Sequence, residues 1–436
     1  MTIPQAVRPW FTAAVLSIVA TLLVVPYEAV VQHVPPVDFY VYRYAAQAAY
    51  DGANLYDANV FGPGIGPSGL PFTYSPFAAV VLWPATLFGA QTAYQLWSIA
   101  SLLALAYVLN KYLPGPWPLR LLRLVAALVI ARFTVVLYHH LSFGQINLLL
   151  MALCVADVFG DRDSRLGRAL PRGVLIGVAG AIKFTPMLFL LFFLAARRWR
   201  DAAWTMAGFV GATIVGFAVF PASSTTFFTD TFWHLSDKVD LGAFFATSGN
   251  NSLTGAFAAL GPAWRTVGTV LALVAALTGL WLACRVDRRL GLGPAALVVG
   301  LTAAMVSPVS WIHHWVYLLP ALVYLAGYGG TAARWFAGAA TAFLVVTQGP
   351  TTGDNLLATD NPWLLLPGLA ARESLILLGA AVITFLATLP PRDPLPPRRP
   401  DSRLRVATLY DSRDPPSGGD IQRGARHAGE DDGYSA

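Results

Sequence analysis

Charge is scarce in this chain. Aspartate, glutamate, lysine and arginine make up 12% of its 436 residues, against 56% hydrophobic residues and a mean hydropathy of +0.57. Soluble globular domains carry about 25% charged residues, so a water-soluble globule is excluded and a polytopic integral membrane protein is implied. Lysine and glutamate are rarer still: the chain has only Lys111, Lys183 and Lys238, and only Glu28, Glu373 and Glu430. A lysine inside an apolar run of such a chain is unlikely filler. Cysteine is limited to Cys154 and Cys284, far apart in separate apolar segments, which leaves no basis for a disulfide or a metal cluster. The net charge of +6 comes from arginines at the ends of apolar runs and in the tail, where they orient helices, and gives no footing for nucleic acid. No A-x-A site follows the first apolar segment, which is too long for a signal-peptide core, so it is expected to be retained. No internal repeat divides the chain.

Long hydrophobic runs are what the sequence does have. Read as spans they number about twelve, near 10 to 31, 74 to 90, 92 to 112, 119 to 138, 144 to 160, 173 to 196, 202 to 221, 264 to 284, 292 to 306, 315 to 328, 330 to 348 and 363 to 388. The expected fold class is therefore all-α. An even count puts both termini on one side, and Arg8, the Arg197 to Arg200 cluster, Arg285, Arg288, Arg289 and the tail arginines make that side cytoplasmic. The loops 32–73, 222–263, 307–314 and 349–362 then face outward. One stretch resists: the loop from Gly160 to Arg172 carries Arg162, Arg165, Arg168 and Arg172, yet the count places it outside. Either segments between 92 and 196 are re-entrant or the charge rule fails locally. From Pro390 onward the sequence is rich in proline, arginine, aspartate and glycine, so residues 391–436 are expected to form a disordered cytoplasmic tail behind a membrane domain of residues 1–390.

Polar residues in the apolar part fall into a few constellations. Asp38 follows the first span and opens an aromatic stretch, Phe39-Tyr40-Val41-Tyr42-Arg43-Tyr44. Two uses are open to it: capping the short helix that follows, or acting as a general base on a sugar hydroxyl held by aromatic faces. Arg43, five residues on, is placed to pair with Asp38 or a lipid phosphate. Phe72-Thr73-Tyr74-Ser75-Pro76 returns the chain to the membrane, as interfacial anchors or as a sugar-binding edge. His139-His140-Leu141-Ser142-Phe143-Gly144-Gln145-Ile146-Asn147 concentrates hydrogen-bonding side chains between two apolar segments, either as a polar turn or facing a cavity. Lys183 sits mid-span and must snorkel, pair with Asp157 or another helix, or hold a lipid-linked phosphate. Asn250, Asn251 and Ser252 close the second large outward loop, where Asn251 or Ser252 is placed to cap a helix. In Ser307 to Trp315, Trp311 and Trp315 flank His313 and His314 at an outward face; a belt of interfacial aromatics explains the tryptophans and not the histidine pair. Asp161-Arg162-Asp163 has the form of a metal-binding DxD but is short and set among arginines.

In order along the chain, Asp38 with Tyr42, Phe72 to Pro76, Gly144 to Asn147, Gly180 to Pro186 with Lys183, Asn250 to Ser252 and Ser307 to Trp315 resemble glycosyltransferase family 87 over roughly residues 10 to 390. The resemblance implies a GT-C architecture in the plasma membrane with its active site on the outer face. It also implies a polyprenyl-phosphate-mannose donor and an α-1,2 mannose added, with inversion, to a glycolipid such as a phosphatidylinositol mannoside or lipomannan. Asp38 inherits the role of catalytic base. Lys183, His313, His314 and Arg43 become candidates for the donor phosphate, with Arg265 and Arg372 behind them. Tyr42, Tyr74, Gln145, Asn147, Asn251 and Trp311 become candidates for holding sugar or acceptor. A β-mannosyl phosphate already has a good leaving group, so one base and a means of neutralising phosphate suffice, with no nucleotide, cofactor or obligatory metal. The alternative is a secondary transporter of a small polar solute or lipid-linked sugar, against which the long aromatic loops and missing repeat argue.

Overall fold

The computed structural model describes residues 7–31, 35–62, 65–160, 170–234, 249–359 and 361–391. The proposed tail, the Asp161 to Asp163 motif and three of the arginines of the 160–172 loop lie outside them. Among the described residues the chain is helical, with one isolated antiparallel bridge, Val60 to Leu70, in the loop after the second helix.

A helix or a broken helix lies on each expected apolar run. Among the described residues three helices are long and apolar enough to cross a bilayer: Ala90–Tyr112, Trp199–Val219 and Trp264–Leu290. At ~1.5 Å per residue even the shortest reaches about 31 Å. Two further pairs qualify when joined across a bend, Trp117–Arg132 with Val135–Phe143 at 73° and Pro362–Arg372 with Ser374–Thr388 at 57°. The helix Leu292–Val306 is buried over nearly its whole length and forms the centre, whereas Trp264–Leu290 exposes Leu273, Val274, Leu277 and Trp281. An apolar face turned outward on a helix of that length is what lipid, not water, tolerates. The protein is a membrane protein.

Two expected spans are built differently from the rest. The run 74–90 becomes a short helix, Pro76–Leu82, and a 3₁₀ turn, Trp83–Thr86. Both of its ends lie against the helix Val37–Tyr50: Tyr74 bonds to Tyr42, and Trp83 packs on Tyr50 with ring centroids 4.1 Å apart. The run 173–196 is interrupted at Lys183, between Val174–Ile182 and a 3₁₀ turn that leads into Leu188–Ala195. Its start is capped by Asp157, which accepts from the amides of Gly173 and Ile176. Its far end meets Arg198, which grips Asp287 through two bonds of 2.9 and 3.0 Å and approaches Asp201, itself near Arg172. The segment therefore leaves and returns to one end of the bundle, with Lys183 at its tip. Pro186 supplies the break, since it lacks an amide and cannot continue the helix before it.

The bundle thus has two distinct ends. At one, Tyr112 donates to the Gly293 carbonyl and Arg289 to that of Ala387. At the other lie Asp38, Gln145, Lys183 and His314. The tip of the 173–196 segment is held by a close helix contact: a Cβ on Gly177 would fall 2.1 Å from the Thr205 carbonyl oxygen, and one on Gly208 2.4 Å from that of Val174. Only glycine lets Val174–Ile182 approach Trp199–Val219 this closely, as small residues do at membrane helix interfaces. Gly177→Val should destabilise the protein by ~1–3 kcal/mol through forced separation of these helices. A lower midpoint for loss of the monodisperse peak in heated detergent extracts is the expected readout, and an unchanged midpoint would remove this contact from the tip's support.

Candidate active site

The loop between Val135–Phe143 and Asn147–Phe159 is where the site begins. Thr134 caps the first of these helices by accepting from the Leu137 amide, and Gly144 ends it in the left-handed conformation at φ 68°. The Gly144 amide returns to the Leu141 carbonyl and that of Gln145 to His140, the usual closure for such an end. Gly144 is needed twice over, because a Cβ there would also stand 2.5 Å from the Cβ of Phe39. Tyr94 and Trp97, from Ala90–Tyr112, donate to the carbonyls of Leu141 and Gly144 at 2.6 and 2.9 Å. His140, fully buried, accepts the Leu148 amide on Nε2 and so starts the next helix. These contacts press the loop against Val37–Tyr50 and bring Gln145 beside the residue preceding Phe39, Asp38.

Gln145 is the hub. Its Nε2 donates to Asp38 Oδ2 at 2.6 Å, and its Oε1 accepts from the Tyr42 hydroxyl at 3.1 Å and from Asn147 Nδ2 at 3.3 Å. Tyr42 also shares a 2.7 Å bond with the Tyr74 hydroxyl, and the Tyr74 carbonyl is held by Tyr56 at 2.6 Å. Asn147 accepts from Lys183 Nζ at 3.0 Å and donates to the His313 carbonyl at 3.1 Å. Lys183 Nζ lies 3.2 Å from His314 Nε2 and 5.5 Å from the centre of the Tyr74 ring. One connected network therefore runs from a carboxylate to an ammonium through two amides. Below Asn147 and His314 lies a small apolar cavity of about 40 Å³, walled by Leu150, Met151, Cys154 and Phe189.

The open alternatives resolve residue by residue. Val37–Tyr50 begins at a Pro36 cap with no side-chain bond, so Asp38 sits in the first turn and spends its carboxylate on Gln145 rather than on capping. Burial raises its pKa to about 6, against the opposing pull of the Gln145 bond and the Lys183 charge. Lys183 does not pair with Asp157, whose carboxylate is taken up by amides at the other end of the same segment. Ser252 does cap its helix, accepting from the Gly255 amide at 3.0 Å. Asn250 and Ser252 donate to the Pro308 carbonyl, and the Asn251 amide bonds to that of Ser310, so Asn251 and its neighbours brace the loop that presents the histidines.

Within that loop the two histidines separate. The Trp311 amide donates to His314 Nδ1 at 3.2 Å, which fixes His314 toward Lys183. The His313 ring turns to Phe143, with centroids 5.4 Å apart, and its buried Nε2 has no partner among the described residues. Trp311 contributes through its backbone. Arg43 is not brought to the cluster: five residues on from Asp38 is ~140° around a helix, and its guanidinium donates to the Phe88 carbonyl and lies over Tyr44. Sequence reasoning missed Tyr56 and Trp97, and named Ser75 only as part of the Phe72 to Pro76 stretch; its hydroxyl donates to the Ala181 carbonyl just before Lys183. Aromatic character alone marked Tyr56, in the loop 32–73, and Trp97, in the run 92 to 112.

A family model described as Glycosyltransferase family 87 matches residues 72–308. The chain belongs to glycosyltransferase family 87. It is 34% identical over 310 residues to a protein of Mycobacterium tuberculosis (strain ATCC 25618 / H37Rv) named polyprenol-phosphate-mannose-dependent alpha-(1-2)-phosphatidylinositol mannoside mannosyltransferase, covering 66% of this chain and 69% of that one. A protein of the same name from Mycolicibacterium smegmatis (strain ATCC 700084 / mc(2)155) is 33% identical over 314 residues, with the same coverage. A third relative, from that same strain, is named as a phosphatidylinositol pentamannoside mannosyltransferase and is 32% identical over 298 residues, again covering 66% and 69%. No solved structure matches. The resemblance read from the ordered motifs is confirmed, the chain is a glycosyltransferase, and the transporter alternative finds no support. Asp38 and His314 lie outside the matched residues of this family 87 chain and are tied to them by Gln145 and Lys183.

Gln145→Ala should move the acid limb of the pH–activity profile upward. The lost bond stabilised the ionised Asp38 carboxylate, so its absence leaves burial less opposed and raises the pKa further. A limb that stays in place would mean that Gln145 does not act on Asp38.

Proposed function

We propose that this chain transfers mannose from polyprenyl-phosphate-mannose to a mannosylated phosphatidylinositol, forming an α-1,2 linkage with inversion. The observation that carries the proposal is the Asp38–Gln145–Asn147–Lys183–His314 network, in a chain whose relatives bear the name of that reaction. Asp38 takes the proton of the acceptor hydroxyl as its oxygen bonds to the mannose C1, and the bond from C1 to the phosphate oxygen breaks with its electron pair going to phosphate. Lys183 and His314 receive the phosphate. The Trp311 amide occupies His314 Nδ1, so a neutral His314 carries its ring proton on Nε2, facing Lys183. A charged Lys183 and that N–H are both donors, and a phosphate oxygen between them would satisfy the two together while stabilising the developing charge. Tyr42 and Tyr74 are placed to hold the sugar beside Asp38.

The proposed topology is GT-C-like with ten crossings rather than twelve, the site facing outward from the plasma membrane. Supporting it, the segments 74–86 and 173–196 each return to the end from which they start, and removing both keeps the count even. Arg172, which ends the arginine-rich 160–172 loop, then falls on the same side as Arg8, Arg198 and Arg289, in keeping with the charge rule that a twelve-span count breaks there.

Asp38→Asn should abolish transfer while leaving donor binding intact, and Lys183→Met or His314→Ala should lower kcat/KM by ~10²-fold or more, near 1.4 kcal/mol per decade. Wild-type kcat/KM should decline below pH about 6 as Asp38 protonates and can no longer accept the acceptor's proton. Membranes supplied with polyprenyl-phosphate-mannose and phosphatidylinositol mannoside are the assay, and near-normal turnover by folded Asp38→Asn removes Asp38 from the role of base.

Activity should also survive chelation. Loss in EDTA with recovery in Mn²⁺ or Mg²⁺ would bring the Asp161 and Asp163 motif back into consideration.

A further inference from the structure

The cavity below Asn147 and His314 has no task in the network above it, and close-packed interiors keep few such spaces, because each costs stability. Its walls come from two helices and the tip between them. Leu150 and Met151 line it from Asn147–Phe159, Ala303 and Ala304 from the central helix Leu292–Val306, and Phe189 from Leu188–Ala195. Water is poorly served there. Both ring nitrogens of His314 are engaged, with the Trp311 amide and Lys183, and the Asn147 amide is spent on Lys183, Gln145 and the His313 carbonyl. Ser307 and Tyr317, also in the wall, bond to the Val309 carbonyl and to Cys154. A buried water needs several polar partners, so a hydrocarbon group is the occupant that this space suits.

His314 belongs to both places. Its Nε2 meets Lys183 where, on the reading given under Proposed function, the donor phosphate sits, and the same residue walls the cavity. Thr185, exposed and two residues beyond Lys183, lines the cavity as well and marks its mouth. A lipid-linked mannosyl phosphate is a diester with two arms. The mannose arm is directed to Asp38, so the other, which is hydrocarbon, begins at Lys183 and His314 beside the cavity. Size narrows the choice further. A dry cavity of about 150 Å³ admits a benzene ring, so one of about 40 Å³ has room for one or two carbon atoms and not for a run of chain. A prenyl chain differs from a straight one by a methyl branch on the third carbon of each unit, and the first of those methyls stands only a few bonds from the phosphate.

We propose that this cavity reads the lipid arm of the donor: it receives the methyl branch of the first prenyl unit, so that mannosyl phosphates of branched polyprenols are preferred to those of unbranched alcohols. The proposal rests on the donor assigned under Proposed function and adds the feature by which its lipid is told apart.

Two synthetic donors that differ only by the methyl on the third carbon of the lipid make the test, with the detergent-purified full chain and a phosphatidylinositol mannoside acceptor. Wild type should favour the branched donor in kcat/KM about fourfold, which corresponds to ~0.8 kcal/mol for one buried carbon. Ala303→Val and Ala304→Val each add carbon to the cavity and should bring the two donors to parity. Met151→Ala, which widens it, should instead extend the preference to an ethyl branch and keeps the test decisive if neither valine variant folds. Absence of any preference in the wild type overturns the proposal, as does a preference left unaltered in every folded variant. The corresponding lipid phosphates without mannose separate the pocket from the reaction. In native mass spectrometry the wild type should retain the branched phosphate over the unbranched one, and the valine variants should not. Selective retention with no mannosyl transfer from either donor would defeat the reaction and leave the pocket standing. Equal transfer from both donors with no selective retention would leave the reaction standing and remove the pocket.

Discussion

A carboxylate and an ammonium in the same low-dielectric interior attract each other strongly, and the organisation of this protein's site depends on their being kept apart. A direct ion pair between Asp38 and Lys183 would neutralise both and leave neither free for chemistry. Two amide side chains prevent it. Gln145 donates to the carboxylate and Asn147 accepts from the ammonium, and the two amides are bonded to each other. Each charge is thereby hydrogen-bonded without being cancelled, so on the proposed reading the acceptor hydroxyl meets the one and the donor phosphate the other.

The surrounding helices exist largely to hold those amides. Gly144 closes the helix before Gln145 and clears Phe39, Tyr94 and Trp97 clamp the loop's carbonyls, and His140 starts the helix that carries Asn147. Lys183 arrives from the other direction on the tip of a segment that enters the bundle and turns back. The histidine loop is braced in turn by Asn250, Asn251 and Ser252. Five separate stretches of chain meet at the site, and each is steadied by bonds to backbone groups rather than by its own helix alone.

Much of this was legible in the sequence. Polar side chains in an apolar chain are conspicuous, and Asp38, Gln145, Asn147, Lys183 and His314 stood out for that reason and do converge. The helical class followed from composition. The path of the backbone was only half legible: the arginines of the 160–172 loop raised re-entrance between 92 and 196 as one of two alternatives, but a run of apolar residues looks the same whether it crosses, lies along one face, or folds back at Pro186. The division of labour between His313 and His314 was equally hidden, because it rests on the Trp311 amide, which every residue but proline possesses. Arg43 misled because nearness in sequence to Asp38 is not nearness on a helix.

The glycine contact between Val174–Ile182 and Trp199–Val219 bears on how the chain is made. Until the later helix exists, the earlier one exposes a glycine-lined stripe of backbone with nothing to cover it, and at nine residues it is too short to rest across a bilayer by itself. Lys183 at its end adds a charge with no companion until Asn147 and His314 are in place. The contact of Lys183 with His314 therefore cannot form until 131 further residues have been made, and the surroundings of this lysine are complete only then.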